Sequence, residues 1–171
     1  MQPVIVVMGV SGTGKSTVAR LLAERLNWDF EEGDDLHPDP NIAKMKAGIP
    51  LTDEDRAPWL GNVAAWIRAH ERAGRPGVIT CSALKRAYRD RLRGEHVVFV
   101  HLVGSPELIA ERMSARAGHF MPPSLLTSQL DTLEPPGADE QVLTVDVGRP
   151  VPQLVDEVIA GLGPAAASVA R

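Results

Sequence analysis

The chain has 171 residues, 44% hydrophobic and 23% charged, with a formal net charge of −4. That length favours one domain with a sizeable core, and that charge gives whole-chain nucleic-acid binding no electrostatic support. No apolar run reaches the ~18 residues of a membrane span, no basic start with an apolar signal core opens the chain, and the single cysteine, Cys81, excludes an internal disulfide, so a cytoplasmic location is expected.

The first element is the apolar run Val4–Met8, a strand expected to be buried on both faces. It leads directly into Gly9-Val10-Ser11-Gly12-Thr13-Gly14-Lys15-Ser16-Thr17. This is the spacing G-x-x-x-x-G-K-[ST] between a strand and a helix, Lys15–Leu26, and it points to a nucleotide triphosphate. Glycines let backbone N–H groups curl around phosphate oxygens. Lys15 can reach the β- and γ-phosphates, Ser16 can sit on Mg²⁺, and the helix turns its positive end toward the anion. Residues Gly9 to Thr17 are therefore the candidate ATP-binding loop. Phosphoryl transfer, motor-type hydrolysis and nucleotide switching all use such a loop, and the rest of the chain must choose.

A short strand, Asp29–Glu31, precedes Glu32-Gly33-Asp34-Asp35-Leu36-His37. Further strands are expected at Gly77–Cys81, Val97–Leu102 and Val142–Asp146. Helices are expected at Asn41–Ala47, Asp53–Ala73, Lys85–Leu92, Pro106–Arg116, Pro123–Thr132 and Val151–Gly161. Alternating apolar strands and helices predict a doubly wound α/β domain with a parallel sheet. Ligands in such sheets bind beyond the carboxyl ends of the strands. That rule puts the phosphate loop, Gly33–His37 and Ser82–Lys85 on one rim.

Asp34 is then the candidate base for an acceptor hydroxyl, and His37 a donor to a polyhydroxylated substrate. Asp35 should face elsewhere. Thr52 or Asp53 should cap the helix that carries Arg56, which either pairs with Asp53 or Asp55 or forms a fork for a substrate carboxylate. Ser82 can bind a substrate hydroxyl or a metal-bound water. Lys85 and Arg89, four residues apart, are read as one helical face reaching an anion. Arg86 and Arg93 are read as a solvated basic face. Cys81 is read as a buried thiol. Arg112 and Arg116 lead into a Gly- and Pro-containing stretch, so both are candidates to embrace ATP phosphates, with Arg112 alternatively stacking on adenine.

Taken together, these clusters resemble the small bacterial-type gluconokinase family. The matching stretches are GVSGTGKST (9–17), EGDDLHPDPNIAKMKAGIPLTDEDRAPWL (32–60), CSALKRAYRDRLR (81–93), GHFMPPSLLTSQLDTLEPP (118–136) and GADE (137–140). They run from the first strand to about Pro152. The phosphate loop is shared by many families; the combination of the other stretches is far more specific. The resemblance implies a three-layer P-loop kinase fold like that of nucleoside-monophosphate kinases, with a five-stranded parallel sheet and a mobile lid. It implies one domain over 1–163, a lid at about 117–134 and a frayed tail at 164–171.

It also implies ATP and Mg²⁺ use, transfer to the 6-hydroxyl of D-gluconate, and a homodimer. Asp34 and His37 would meet gluconate hydroxyls and Arg56 its carboxylate, with Lys85 and Arg89 as further substrate contacts. His119 would belong to the lid, and Val147–Val151 would edge the adenine site. In-line transfer would use Asp34 to orient and deprotonate the hydroxyl, with Lys15 and Arg116 offsetting charge. A kinase for another hydroxy acid, such as shikimate, or a nucleotide-driven switch are the rival readings.

Overall fold

The computed structural model describes residues 2–115 and 123–163. Five parallel strands form one sheet in the order β2-β3-β1-β4-β5, with β1 Val4–Met8, β2 Asp29–Glu31, β3 Gly77–Thr80, β4 Val97–Val103 and β5 Val142–Asp146. The register runs Val4↔Gly77 on one side of β1 and Val4↔Val97 on the other. Every β1 residue is buried, because helices cover both faces of the sheet. Ile5 and Val7 face one core with Val18, Leu22, Leu26 and Leu154. Val4, Val6 and Met8 face the other with Trp59, Val63, Ile67 and Leu92.

Helix α1, Lys15–Leu26, buries Val18, Ala19, Leu22, Ala23 and Leu26, the stripe expected of an amphipathic helix. It is capped at its start by Gly14 with φ of 87°, a left-handed conformation that favours glycine. Helix α3, Asp53–Ala73, starts at Thr52, whose hydroxyl accepts from the Asp55 N–H while the Asp55 carboxylate accepts from the Thr52 N–H. The remaining helices are α2 Asp39–Lys46, α4 Arg86–Leu92, α5 Pro106–Ala115, α6 Pro123–Thr132 and α7 Val151–Leu162.

Several boundaries differ from the sequence reading. Helix α2 begins before Asn41 because Pro40 sits in the first turn, where its missing N–H has no helical partner to lose. Strand β3 stops at Thr80, and the chain turns through Ala83 at φ 46°. Helix α4 begins at Arg86, with Lys85 as its extended N-cap. A 3-10 turn, Gly33–Leu36, follows β2 where no element was expected. Arg116 and His119, and most of the expected lid's first half, lie outside the described residues.

The turn at Gly33 fixes the acidic cluster on the rim. A Cβ on Gly33 would come within 1.7 Å of the Thr80 carbonyl oxygen, so no larger residue fits there. Its N–H donates to Thr80 Oγ1 at 2.9 Å, and its carbonyl accepts from Trp59 Nε1 at 2.8 Å. Among the described residues no helix is long and apolar enough to cross a membrane.

Candidate active site

The carboxyl ends of β1, β2 and β3 meet at a solvent-open cleft of about 570 Å³. It is lined by Ser11 and Lys15 from the phosphate loop, Asp34 and His37 from the 3-10 turn, and Arg56 from α3. Ser82, Ser128 and Gln129 complete its polar wall, and Met45, Ile49 and Leu51 form an apolar one.

The phosphate loop is tied to the sheet through the Gly9 N–H, which donates to the Ser82 carbonyl at 3.3 Å. Thr13 is buried and its hydroxyl donates to Val10 O at 2.8 Å, so this side chain braces the loop from within. Lys15 Nζ folds over the loop, donating to Gly9 O at 2.9 Å and Val10 O at 3.1 Å. Ser16 Oγ donates to Glu32 Oε2 at 2.6 Å, and Thr80 Oγ1 donates to Glu32 Oε1 at 2.5 Å. Glu32 is thus held against the loop's serine by β3, a position that its place in an acidic run did not reveal.

Asp34 stands at the cleft mouth with 48% of its side chain exposed, yet protein encloses the inner side of the carboxyl. That enclosure raises its pKa above the ordinary 3.8; Lys15 pulls it down, and Glu32 and Asp35 push it up. His37 is buried and stacked on Trp59, ring centroids 4.2 Å apart. Burial, aided by the Arg56 charge, lowers its pKa to about 4, so it is neutral near pH 7. Asn41 Nδ2 lies 3.1 Å from His37 Nδ1 and donates to Asp55 O at 2.8 Å. An amide nitrogen can only donate, so Nδ1 accepts and the imidazole proton sits on Nε2. Asn41 escaped the sequence reading; its only trace is its i+4 spacing from His37.

Arg56 does not pair with either acidic neighbour. Asp55 is bound by Lys44 at 2.9 Å, and Asp53 by Lys85 at 2.9 Å and by the Tyr88 hydroxyl. Arg56 instead donates to Tyr88 Oη at 3.0 Å, its guanidinium carbon 5.5 Å from the ring centroid, and presents its charge to the cleft. The cleft therefore joins a cation at the phosphate loop, a carboxylate with a raised pKa, a neutral imidazole donor and a guanidinium. It can bind an anionic hydroxylated molecule beside a triphosphate.

A second groove, about 760 Å³, lies on the other side of the loop and is lined by Gly12, Gly14, Thr17, Arg112, Arg149 and Pro150. Arg112 donates to Val147 O at 2.6 Å, which joins α5 to the segment that follows β5.

Two expected anion contacts stand elsewhere. Arg89 is a correction: it is 1% exposed and fully engaged, and cannot reach a ligand. It donates to Glu140 Oε1 at 2.6 Å and to the carbonyls of Ala83, Leu84 and Glu134. Lys85 is bound to Asp53 and does not line the cleft. The face drawn through both residues fails because Lys85 is an extended N-cap, where helical spacing does not apply. Arg86 is not merely solvated but pairs with Asp139 at 2.5 Å. The Cys81 thiol is buried, with its pKa pushed up to about 12, so it is no nucleophile.

A parallel sheet, a glycine loop capping α1 and a polar cleft at the strand ends define a P-loop kinase. An AAA domain family model matches residues 5–121. A gluconokinase of Gluconobacter oxydans is 54% identical over 91% of this chain and 88% of its own length. The thermoresistant gluconokinase of Escherichia coli is 45% identical over 91% of each chain. The crystal structure of a gluconokinase from Sinorhizobium meliloti superposes with a TM-score of 0.88 at 49% identity, covering 98% of this chain and 95% of that one. The chain belongs to the gluconokinase family. A shikimate kinase structure from Aquifex aeolicus, at 15% identity and a TM-score of 0.59 over 95% of this chain and 98% of that one, shares the fold alone.

Proposed function

We propose that this chain transfers the γ-phosphoryl group of ATP to the 6-hydroxyl of D-gluconate, giving 6-phospho-D-gluconate and ADP. The observation that carries the reading is the shared cleft of Lys15, Asp34 and Arg56, which offers a phosphate-binding cation, a hydroxyl-orienting carboxylate and a carboxylate-binding fork. The family relationship selects gluconate among hydroxy acids.

Arg56 takes the substrate carboxylate, since its two acidic neighbours are occupied by other partners. His37 donates from Nε2 to a substrate hydroxyl, and Ser82 reaches another. Asp34 accepts the proton of the attacking hydroxyl, or aligns it, as oxygen approaches phosphorus in line with the leaving ADP oxygen. Lys15 leaves its loop carbonyls for the terminal phosphate oxygens and offsets their charge, with Arg116 assigned the same role from its sequence position. Gly9 to Thr17 cradle the phosphates, and Arg112 and Val147–Val151 border the nucleoside.

Mg²⁺ fits the donor set, because Ser16 Oγ and the Glu32 carboxylate are hard oxygen ligands 2.6 Å apart beside the loop. Ser16 would hold the ion directly and Glu32 through its waters, and the bound ion supplies charge neutralisation on the triphosphate. Residues 1–163 act as one kinase domain, with the lid at about 117–134. A homodimeric, cytoplasmic enzyme supplying the pentose phosphate pathway completes the reading.

The test is ADP release by purified protein with ATP, Mg²⁺ and a panel of gluconate, shikimate and other sugar acids. Gluconate is expected to give the highest kcat/KM, with the phosphorus on C6 by NMR. A clear preference for another acceptor, or ADP release at an equal rate without any acceptor, would overturn the proposal.

A further inference from the structure

The stretch Ser128-Gln129-Leu130-Asp131-Thr132-Leu133-Glu134 carries a polar pattern that none of the roles above uses. The structure places it as a bridge. Leu126, with Leu130 and Leu133 beside it, packs in one apolar cluster with Val10 of the phosphate loop, Leu84 beyond β3, and Ile109 and Met113 of α5. Ser128 and Gln129 stand off that stripe and line the cleft.

Both ends of the bridge are fastened by hydrogen bonds. At the donor side the Ser11 N–H donates to Gln129 Oε1 at 2.7 Å, and Gln129 Nε2 lies 3.2 Å from Ser11 Oγ. One amide thus meets the phosphate loop at two points. At the acceptor side the Glu134 N–H donates to Leu84 O at 2.7 Å, and the Glu134 carboxylate accepts from the Arg86 N–H at 3.0 Å. Arg89 binds Glu134 O and the Ala83 carbonyl together, fixing the same junction beside Ser82.

We propose that Gln129 is a positioning residue. It latches α6 to the phosphate loop and so keeps water from the space between the terminal phosphate and the acceptor hydroxyl. The proposal rests on the kinase reading above. The reaction it suppresses is hydrolysis: a water oxygen bonds to the γ-phosphorus, the bond to the ADP oxygen breaks, and phosphate, ADP and one proton are released. Gln129 lines the cleft beside Lys15 and Asp34. Loss of these two contacts with Ser11 loosens that wall from the phosphate loop, and a closed site owes its preference for alcohol over water to that wall.

Gln129→Met keeps the side-chain length and removes both hydrogen bonds to Ser11. Gln129→Asn keeps the amide but falls a methylene short of Ser11. The readout is ADP released without acceptor, divided by ADP released with saturating gluconate. We expect this ratio to rise about 10-fold in both variants, as expected from losing net hydrogen bonds of ordinary strength. The melting temperature of each variant is measured alongside to establish that it is folded. An unchanged ratio in folded variants, with or without a lower kcat, would overturn the latch, since a merely structural residue lowers both reactions together. A protein that ignores gluconate but whose acceptor-free hydrolysis still rises 10-fold in the variants would overturn the substrate assignment and leave the latch standing.

Discussion

His37 Nε2 stands 3.9 Å from Asp34 Oδ1, on the side of the imidazole opposite the Asn41 contact. The two residues lie three apart, and the 3-10 turn between them aims both side chains into the cleft. The proton on Nε2 is held in place by what happens at Nδ1. Asn41 therefore governs which way the histidine donates, although it never lines the cleft itself.

Asp34→Asn tests the carboxylate. The substitution keeps the shape and removes the proton acceptor, so kcat should fall by about 10²-fold or more with little change in KM for ATP. Because enclosure raises the Asp34 pKa above 3.8, the acid limb of the kcat/KM profile should lie above that value and vanish in the variant. Retained kcat with a raised KM for gluconate would reduce Asp34 to a binding contact.

His37 makes stability depend on pH. Its folded pKa is near 4 against 6.5 unfolded, so the unfolded chain takes up the proton first as pH falls. Its contribution is complete above pH 6.5 and is lost progressively down to about pH 4. Thermal melts across that window should fall less steeply for His37→Gln than for the parent chain. Equal slopes would show that other groups carry the acid sensitivity.

The fold was legible because β1 is apolar at every position and the glycine loop follows it without a gap. Elements with a strong period were found to within two residues. The Gly33–Leu36 turn was not, since four residues carry no period and the turn is held by Gly33 contacts with Thr80 and Trp59 that form only in the fold. The places of Asp34, His37 and Arg56 beside the cleft were readable from the rim rule and the motifs around them. The contacts of Glu32, Asn41 and Gln129 were not, because their partners are brought together only by folding. Ser11 is 118 residues from Gln129.

Arg56 should decide acid over neutral acceptor. Its guanidinium is steered by the Tyr88 hydroxyl, which Asp53 holds in turn. Arg56→Ala should raise KM for gluconate by about 10²-fold, the loss of a charge-assisted pair. KM for a neutral polyol of the same length should barely move. Tyr88→Phe should give a smaller shift in the same direction. If both acceptors weaken equally in Arg56→Ala, the residue shapes the cleft without reading charge.

Arg89 makes the opposite case, a cation near the site whose work is structural. Its guanidinium and Glu140 are 1% and 5% exposed, and three backbone carbonyls share the remaining N–H groups. Removing Arg89 leaves the Glu140 carboxylate buried without its counter-charge, though still accepting from the Gly137 N–H, so Arg89→Ala should cost about 3–5 kcal/mol in chemical denaturation. Glu140→Gln should be destabilising as well, since it leaves the guanidinium charge unmatched. Replacing both by apolar residues of similar volume should cost less than the sum of the single changes, because neither charge then stays behind. The carbonyls of Ala83 and Glu134 still lose their donor in that double variant, so some loss remains. For whichever variant folds, KM for gluconate should stay within a few-fold of the parent. A fully stable Arg89→Ala protein with a sharply raised KM for gluconate would return Arg89 to the substrate site.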